Sequence, residues 1–165
     1  KYYAIDGGEW PPKAILRIAQ RDKVLLITVG VCLLPQPNVE MFTEDPELLR
    51  RVELSAVLPN GWSDNAIKQF GRYLSAQSTM PWTQYTWLGP GHTLPCDAWQ
   101  NRDFTFALLQ YEHAGAARLA LGPQLGDPVN VLWFVPISDQ EQKLAESEGS
   151  EKLAQRLPAN RWEQA

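Results

Sequence analysis

Two long apolar runs limit what this chain can fold into more than any other feature. Residues 24–34 and 129–137 are almost continuously hydrophobic, and both are rich in Val, Leu or Ile. If each run is a strand, both of its faces need cover, as in the interior of a sheet. Both runs are too short to cross a membrane as helices. The sequence therefore predicts a folded domain built around at least two central strands.

Shorter patterns predict the elements that lie near the first run. A helix is expected after Pro11 and Pro12, because apolar residues follow them at helical spacing. These apolar residues are Ile15, Leu16, Ile18 and Ala19. Pro35 and Pro37 stop the strand predicted at residues 24–34, and residues 38–46 are expected to form a loop.

A strand and a helix are predicted next. Residues 51–58 alternate between apolar and polar side chains, which is typical of a strand. Residues 59–61 have the composition of a turn, and Asp64 is expected to cap a helix that ends near Gln77. The buried face of this helix would consist of Ile67, Phe70, Gly71 and Leu74.

The second half of the chain completes an α+β pattern. Residues 104–111 and 118–121 are strand candidates, residues 122–127 a turn, and residues 139–157 a helix interrupted at Gly149. Helices and strands do not alternate regularly, so a doubly wound parallel sheet is less favoured than an α+β fold. We expect a mixed, largely antiparallel sheet with helices packed on it.

The composition fits one domain over residues 1–165. The hydrophobic share of 44% is enough for a core, and the net charge of -4 with scattered basic residues argues against nucleic-acid binding. Two cysteines are too few for a disulfide framework, and no apolar leader follows Lys1. A cytoplasmic protein without membrane association is expected. The missing initial Met also fits a structural domain of a larger chain.

The most unusual segment runs from residue 82 to residue 99. It contains three tryptophans, one of the two histidines and one of the two cysteines, and Gly89, Pro90, Gly91 and Pro95 prevent a regular helix. An aromatic loop on a folded body is typical of a recognition surface or of an active-site rim. At least one of its tryptophans is expected to plug the core beneath the loop.

Two other chemistries, metal binding and thiol catalysis, would use His92 and Cys96 of the same segment. A zinc site would need Cys32, His92, Cys96 and His113, but these do not form two closely spaced ligand pairs. Cys96 with His92 or His113 would be the nucleophile and base of a thiol enzyme, although the charge of Asp97 would raise the pKa of that thiol. A structural cysteine packed beside the tryptophans is the simpler interpretation of Cys96.

An ordered set of motifs resembles the suppressor of fused (SUFU) domain family. The likeness is carried by LGPGHTLPCD at residues 88–97, GDPVNVLWFVPISDQE at 126–141 and the helical EGSEKLAQRL at 148–157. VGVCLLPQPNVE at 29–40 and RRVELSAVLPNGW at 50–62 resemble bacterial members in particular. The similarity covers about residues 24–157, which would be the core of the single domain.

This resemblance implies an α+β domain without enzymatic activity. The animal relative is a two-lobed cytoplasmic protein that sequesters a zinc-finger transcription factor by clamping a short peptide of it between its lobes. This chain is long enough for one lobe only, so the peptide-clamping positions are not carried over. Bacterial members beside secreted toxins look like immunity proteins, and an acidic net charge would suit a basic nuclease toxin.

We therefore predict a non-enzymatic module that binds and sequesters a protein partner. The partner would dock on the 82–99 segment and a nearby sheet edge, with apolar contacts from Tyr85, Trp87 and Trp99 and hydrogen bonds from His92 and Asp97. No catalytic residue, cofactor, metal or nucleic acid is expected. The alternative is a small cysteine-dependent hydrolase or other thiol enzyme that uses Cys96 and His92.

Overall fold

The structure, a computed structural model, describes residues 2–3, 10–113, 120–121 and 126–165, and within these ranges eight strands form one sheet. The strands are β1 (Tyr2–Tyr3), β2 (Ala14–Ala19), β3 (Lys23–Val29), β4 (Arg51–Pro59), β5 (Thr93–Pro95), β6 (Phe106–Gln110), β7 (Ala120–Leu121) and β8 (Val129–Ile137). The helices are α1 (Asp64–Gln77), α2 (Met80–Thr83), α3 (Asp139–Glu148) and α4 (Ser150–Arg156). Single 3-10 turns occupy Val31–Leu33, Val39–Met41, Pro46–Leu48 and Arg161–Gln164.

The sheet is mixed and largely antiparallel, which confirms the predicted α+β class. Its strand order is β1-β2-β3-β4-β8-β6-β5, with β7 paired to β8. Every pair is antiparallel except β4 with β8, which are parallel and join the two halves of the sheet. The predicted strands at residues 51–58 and 129–137 are therefore confirmed, and they lie side by side at the centre.

The first face of the sheet is covered by α1 and by the 82–99 segment. Ile67, Phe70 and Leu74 of α1 are buried against the strands, as predicted. The helix begins one residue earlier than expected, because Ser63 is its N-cap and accepts a hydrogen bond from the Ala66 N–H at 3.2 Å. Asp64 instead pairs with Arg17 at 2.6 Å.

The second face is covered by α3, α4 and the last 3-10 turn. Ala145 and Leu153 pack on Leu108, Val135 and Ile137 of the sheet. The helical prediction for residues 139–157 is confirmed, with the interruption at Gly149. Ser138 and Glu141 form a capping box that starts α3, and Arg161 of the last turn binds the Glu141 carboxylate through both oxygens.

Two predictions near the start of the chain are wrong. Residues 14–19 form strand β2 and not a helix, because Ile15, Leu16 and Ile18 satisfy both spacings and pairing with β3 decides between them. The strand predicted at residues 24–34 ends at Val29. Gly30 follows with φ 113°, where an added Cβ would lie 2.9 Å from the Pro12 carbonyl oxygen, and a 3-10 turn replaces the expected strand end.

The remaining predictions agree in part with the structure. The strand expected at residues 104–111 is β6, and two 3-10 turns shape the loop expected at residues 38–46. The short strand at 118–121 is present as β7, although residues 118–119 lie outside the described ranges. Most of the turn at residues 122–127 also lies outside them.

Candidate functional site at the edge of the sheet

The 82–99 segment runs from the end of α2 to the sheet and includes β5, the last strand of the sheet order. Three backbone hydrogen bonds fasten it to β6 and its flanks: Gly91 to Leu109 at 2.7 Å, Leu109 to His92 at 2.8 Å and Cys96 to Thr105 at 2.8 Å. The segment is thus an aromatic loop attached to an edge strand. The edge expected near the loop is therefore β5 itself.

The free side of β5 offers little backbone for pairing. His92 and Cys96 bond toward β6, and backbone groups alternate in direction along a strand, so the N–H and C=O of Thr93 point away from the sheet. Pro95 has no N–H, and its carbonyl accepts a hydrogen bond from the Tyr73 hydroxyl at 2.6 Å. A partner strand would find only one open residue here, so side chains must provide most of any contact.

Trp87 and His92 form an aromatic pair above this edge. Their ring centroids lie 4.5 Å apart at an interplanar angle of 73°, an edge-to-face arrangement. Gly89 makes the pair possible, since a Cβ at that position would lie 2.1 Å from the Trp87 ring. Burial lowers the pKa of His92, and a hydrogen bond with the Trp87 backbone opposes that shift. The imidazole is therefore a neutral hydrogen-bonding group at neutral pH.

An open cleft of about 540 Å³ lies beside the aromatic pair. Its lining includes Trp87, His92 and Thr93 of the 82–99 segment, Glu146 of α3 and Ser150 of α4. The cleft therefore spans the sheet edge, from the loop on one face to the helices on the other. Its volume lies in the range of ligand-binding pockets, and both polar and apolar side chains line it.

Tyr85 and Asp97 lie on the surface of the segment. Tyr85 is 69% exposed, and its ring lies 5.5 Å from that of Phe42. Asp97 is exposed as well. Of the five residues predicted for partner contact, Tyr85, Trp87, His92 and Asp97 thus have positions from which a partner can be reached.

Trp99 lies in the core, which corrects its predicted contact role. Its side chain is only 1% exposed, its ring centroid lies 4.5 Å from that of Phe70, and its indole N–H donates to the Phe106 carbonyl at 3.0 Å. A side chain in this position packs between the 82–99 segment and α1, where it stabilises the segment and is not accessible to a partner. Trp99 is the structural plug that was expected among the loop tryptophans.

The surroundings of Cys96 do not match those of a nucleophilic thiol. Cys96 is 1% exposed, and burial raises the pKa of its thiol to about 11. The groups that hydrogen-bond it are Tyr73 and the backbone of Ala98 and Trp99, and the nearby Asp97 charge raises the pKa further. A catalytic thiol needs a basic partner and a lowered pKa, whereas burial shifts the pKa of Cys96 in the opposite direction.

Cys32 also has a structural setting, although it lies in the Val31–Leu33 turn and not in a strand as expected. Its thiol bonds the buried Glu53 carboxylate, and burial raises its pKa to about 12. Across the described ranges, no three His, Cys, Asp or Glu side chains group together in a way that could hold a metal ion. None of the helices found there is both long and apolar enough to cross a bilayer.

A second exposed loop, for which the sequence predicts only a plain connection, adjoins the site. We call residues 36–50 the 36–50 loop. Its ends meet, because the Gln36 N–H donates to the Arg50 carbonyl at 2.8 Å, and the Phe42 ring touches Tyr85. The sequence signal that could have revealed it is the adjacent pair Met41 and Phe42 within a strongly acidic, Pro-bounded stretch.

Comparison with known proteins agrees with this architecture. The family model described as "Suppressor of fused protein (SUFU)" matches residues 9–164. A solved structure, described as "the Sufu-Fu complex crystal structure", aligns with a TM-score of 0.54 and 13% sequence identity, over 90% of this chain and 70% of that chain. At that identity the structural likeness establishes a shared fold. A search of curated proteins gives no significant match.

Proposed function

Since the chain belongs to the suppressor of fused family, we propose that it is a non-enzymatic module that captures and sequesters a protein partner. The partner docks on the 82–99 segment and the β5 edge. Tyr85 and Trp87 supply apolar contact area, and His92 and Asp97 supply hydrogen bonds. The module comprises one domain over residues 1–165 and acts in the cytoplasm.

The open cleft beside Trp87 and His92 is the observation that carries this proposal. Aromatic side chains at the centre of an interface contribute most when a partner side chain fills a pocket next to them. Since β5 offers only one open backbone residue, we expect anchoring side chains rather than an added strand to hold the partner. The solved relative, described as a Sufu-Fu complex, supports a protein partner for the family.

A toxin-neutralising role is one form that this capture would take in a bacterium. The net charge of -4 favours a basic partner, such as a nuclease toxin domain. When this protein is bound to such a toxin domain, the toxin can no longer reach its nucleic-acid substrate. The expected result of co-expressing a host nuclease toxin with this chain is restored growth, and unchanged killing would argue against the immunity role.

Capture from host lysate tests the docking surface. Immobilised protein is incubated with lysate of the native host, and retained proteins are quantified by mass spectrometry for the wild type, Trp87→Ala and Tyr85→Ser. We expect the protein retained by the wild type to fall about tenfold or more in both variants, equivalent to about 1.4 kcal/mol. Trp10→Ala, which removes an indole that is 58% exposed elsewhere, is the matched control.

Thermal unfolding of the same variants separates contact from folding. Tyr85 is too exposed to support the core, so Tyr85→Ser reports on binding even if Trp87→Ala is destabilised. Full retention of the partner by both folded variants would rule out this docking surface.

A further inference from the structure

The 36–50 loop and its neighbours concentrate the exposed apolar side chains of the protein. Eight large apolar side chains are exposed among the described residues, and four of them, Leu33, Met41, Phe42 and Leu48, lie between residues 33 and 48. A fifth, Tyr85, contacts Phe42 with ring centroids 5.5 Å apart. Met41 is 68% and Phe42 45% exposed. Such a concentration on a folded surface is typical of an interaction site.

Residues 32–49, which directly precede Arg50 and Arg51, have an acidic excess equal to the net charge of the whole chain. Four acidic residues, Glu40, Glu44, Asp45 and Glu47, lie between residues 32 and 49, and no Lys, Arg or His is present there. The chain has 19 acidic and 15 basic residues, so the remainder of the sequence is balanced. All four carboxylates are exposed. Glu40 pairs with Arg50 at 2.5 Å, whereas the other three form no salt bridge within the described ranges.

The loop is held in one shape before any partner arrives. The side chain of Gln36 is buried and donates to the carbonyls of Leu49 and Leu88, at 2.8 and 2.9 Å. Val39 is fully buried beneath the loop, and the Asn38 amide donates to the Gln84 carbonyl at 3.4 Å. Compact loops with joined ends are frequently functional, and a preorganised surface loses less entropy on binding.

We infer, on the basis of the protein-binding function proposed above, that the 36–50 loop binds a basic amphipathic segment of the partner. Apolar side chains of that segment cover Met41, Phe42 and Tyr85, while its Lys or Arg residues face Glu44, Asp45 and Glu47. Through Tyr85 this surface continues into the 82–99 segment, so one partner can engage both. The carboxylates of Glu44, Asp45 and Glu47 repel anionic lipid headgroups, so a polypeptide is favoured over a membrane as the binding partner of this surface.

Peptides of defined charge test this pairing. Three short fluorescein-labelled peptides share Leu and Phe at helical spacing. All remaining positions are Lys in the first peptide, Glu in the second and Gln in the third. Fluorescence anisotropy should show that the Lys peptide binds the wild type about tenfold or more tightly than the Glu peptide. This preference should shrink severalfold between about 50 mM and about 300 mM NaCl. Equal binding of the Lys and Glu peptides would overturn the inference.

Variants separate the apolar contribution from the charge. Met41→Ser combined with Phe42→Ser should weaken the binding of the Lys peptide about tenfold. Ile18→Ser, at a residue 39% exposed on β2, should leave the affinity for this peptide unchanged. Glu44→Lys, Asp45→Lys and Glu47→Lys together should transfer the preference to the Glu peptide. An unchanged preference in the charge-reversed protein would overturn the inference.

Two further measurements address other occupants of the surface. Co-sedimentation of the wild type with phosphatidylserine vesicles, or dimerisation that is abolished by Phe42→Ser in sedimentation velocity, would overturn the inference in favour of a membrane or a second copy. The lysate capture distinguishes this inference from the proposed function. Suppose that Trp87→Ala abolishes capture, whereas the Met41 and Phe42 double variant and the charge-reversed variant still capture the partner. The proposed protein-binding function is then supported, and the inference that the 36–50 loop binds a basic segment is wrong.

Discussion

A single buried carboxylate, Glu53, organises the turn between β3 and the 36–50 loop. Its oxygens accept hydrogen bonds from the Thr28 hydroxyl at 2.5 Å, the Gly30 N–H at 2.9 Å and the Cys32 N–H at 3.2 Å. Only 4% of the residue is exposed, and this burial raises its pKa above the ordinary value of 4.5. The hydrogen bonds oppose the shift, since each favours the charged form.

The raised pKa of Glu53 predicts a pH dependence of stability. A group whose pKa is higher in the folded than in the unfolded state stabilises the fold fully below pH 4.5, and this stabilisation is lost as the pH rises through the folded value. Relative to Glu53→Gln, which does not titrate, the wild type should therefore lose free energy of unfolding as the pH rises above 4.5. Urea unfolding at several pH values measures the difference. A wild-type advantage that grows toward pH 7 would show that the hydrogen bonds outweigh burial.

At the scale of elements, the two loops that form the candidate surface are joined by Gln36. Its side-chain oxygen accepts from the Leu88 N–H at 2.7 Å, and its side-chain nitrogen donates to Leu88 and Leu49. One buried amide thus satisfies backbone groups of both the 36–50 loop and the 82–99 segment. This contact therefore adds a polar link between the two loops to the ring contact of Phe42 with Tyr85.

Loss of the Gln36 amide should loosen both loops together. Gln36→Ala leaves the buried N–H and C=O of Leu88 without their partner, and we expect a cost of about 2–3 kcal/mol in free energy of unfolding. Hydrogen exchange should accelerate in residues 36–50 and 84–90 but not in β8. Gln84→Ala, at an exposed position, is the control. Faster exchange in only one of the two loops would contradict this coupling.

The sequence predicts an element correctly where the pattern of apolar residues fits only a helix or only a strand. Strand β4 and helix α1 have a clear periodicity and β8 a continuous apolar run, so the sequence predicts their bounds within a few residues. Ile15, Leu16 and Ile18 fit a helix or a strand equally well, and pairing with distant residues decides. The burial of Trp99 against Phe70 and the contact of Phe42 with Tyr85 depend on long-range packing, which local composition does not encode.

At the scale of the whole molecule, the sheet is covered by different means on its two faces. The first face has α1 and the plug residue Trp99. On the second face, Trp162 of the last 3-10 turn packs on Val57, Val131 and Trp133 at the middle of the sheet. The Lys23 ammonium lies 5.3 Å from the Trp162 ring centroid and adds a cation–π contact. The short last turn therefore completes the core.

Removal of this cover should affect stability and spare the docking surface. Trp162→Ala should lower the free energy of unfolding by about 3–5 kcal/mol, because Trp162 is only 6% exposed and leaves a large cavity. Trp10→Ala should change it by less than about 0.5 kcal/mol. Denaturant titration followed by circular dichroism measures both. If Trp162→Ala costs less than about 1 kcal/mol, the turn does not belong to the core.

The parallel pairing of β4 with β8 also bears on how the protein is made. The two strands are adjacent in the sheet, but most of the chain that forms the site is synthesised between them. While the ribosome is still producing that stretch, β4 has one edge without its neighbour, and its hydrophobic side chains lack their final cover. Nascent chains that stall before residue 137 should therefore need a chaperone, and we expect the pairing of β4 with β8 to be a late step of folding.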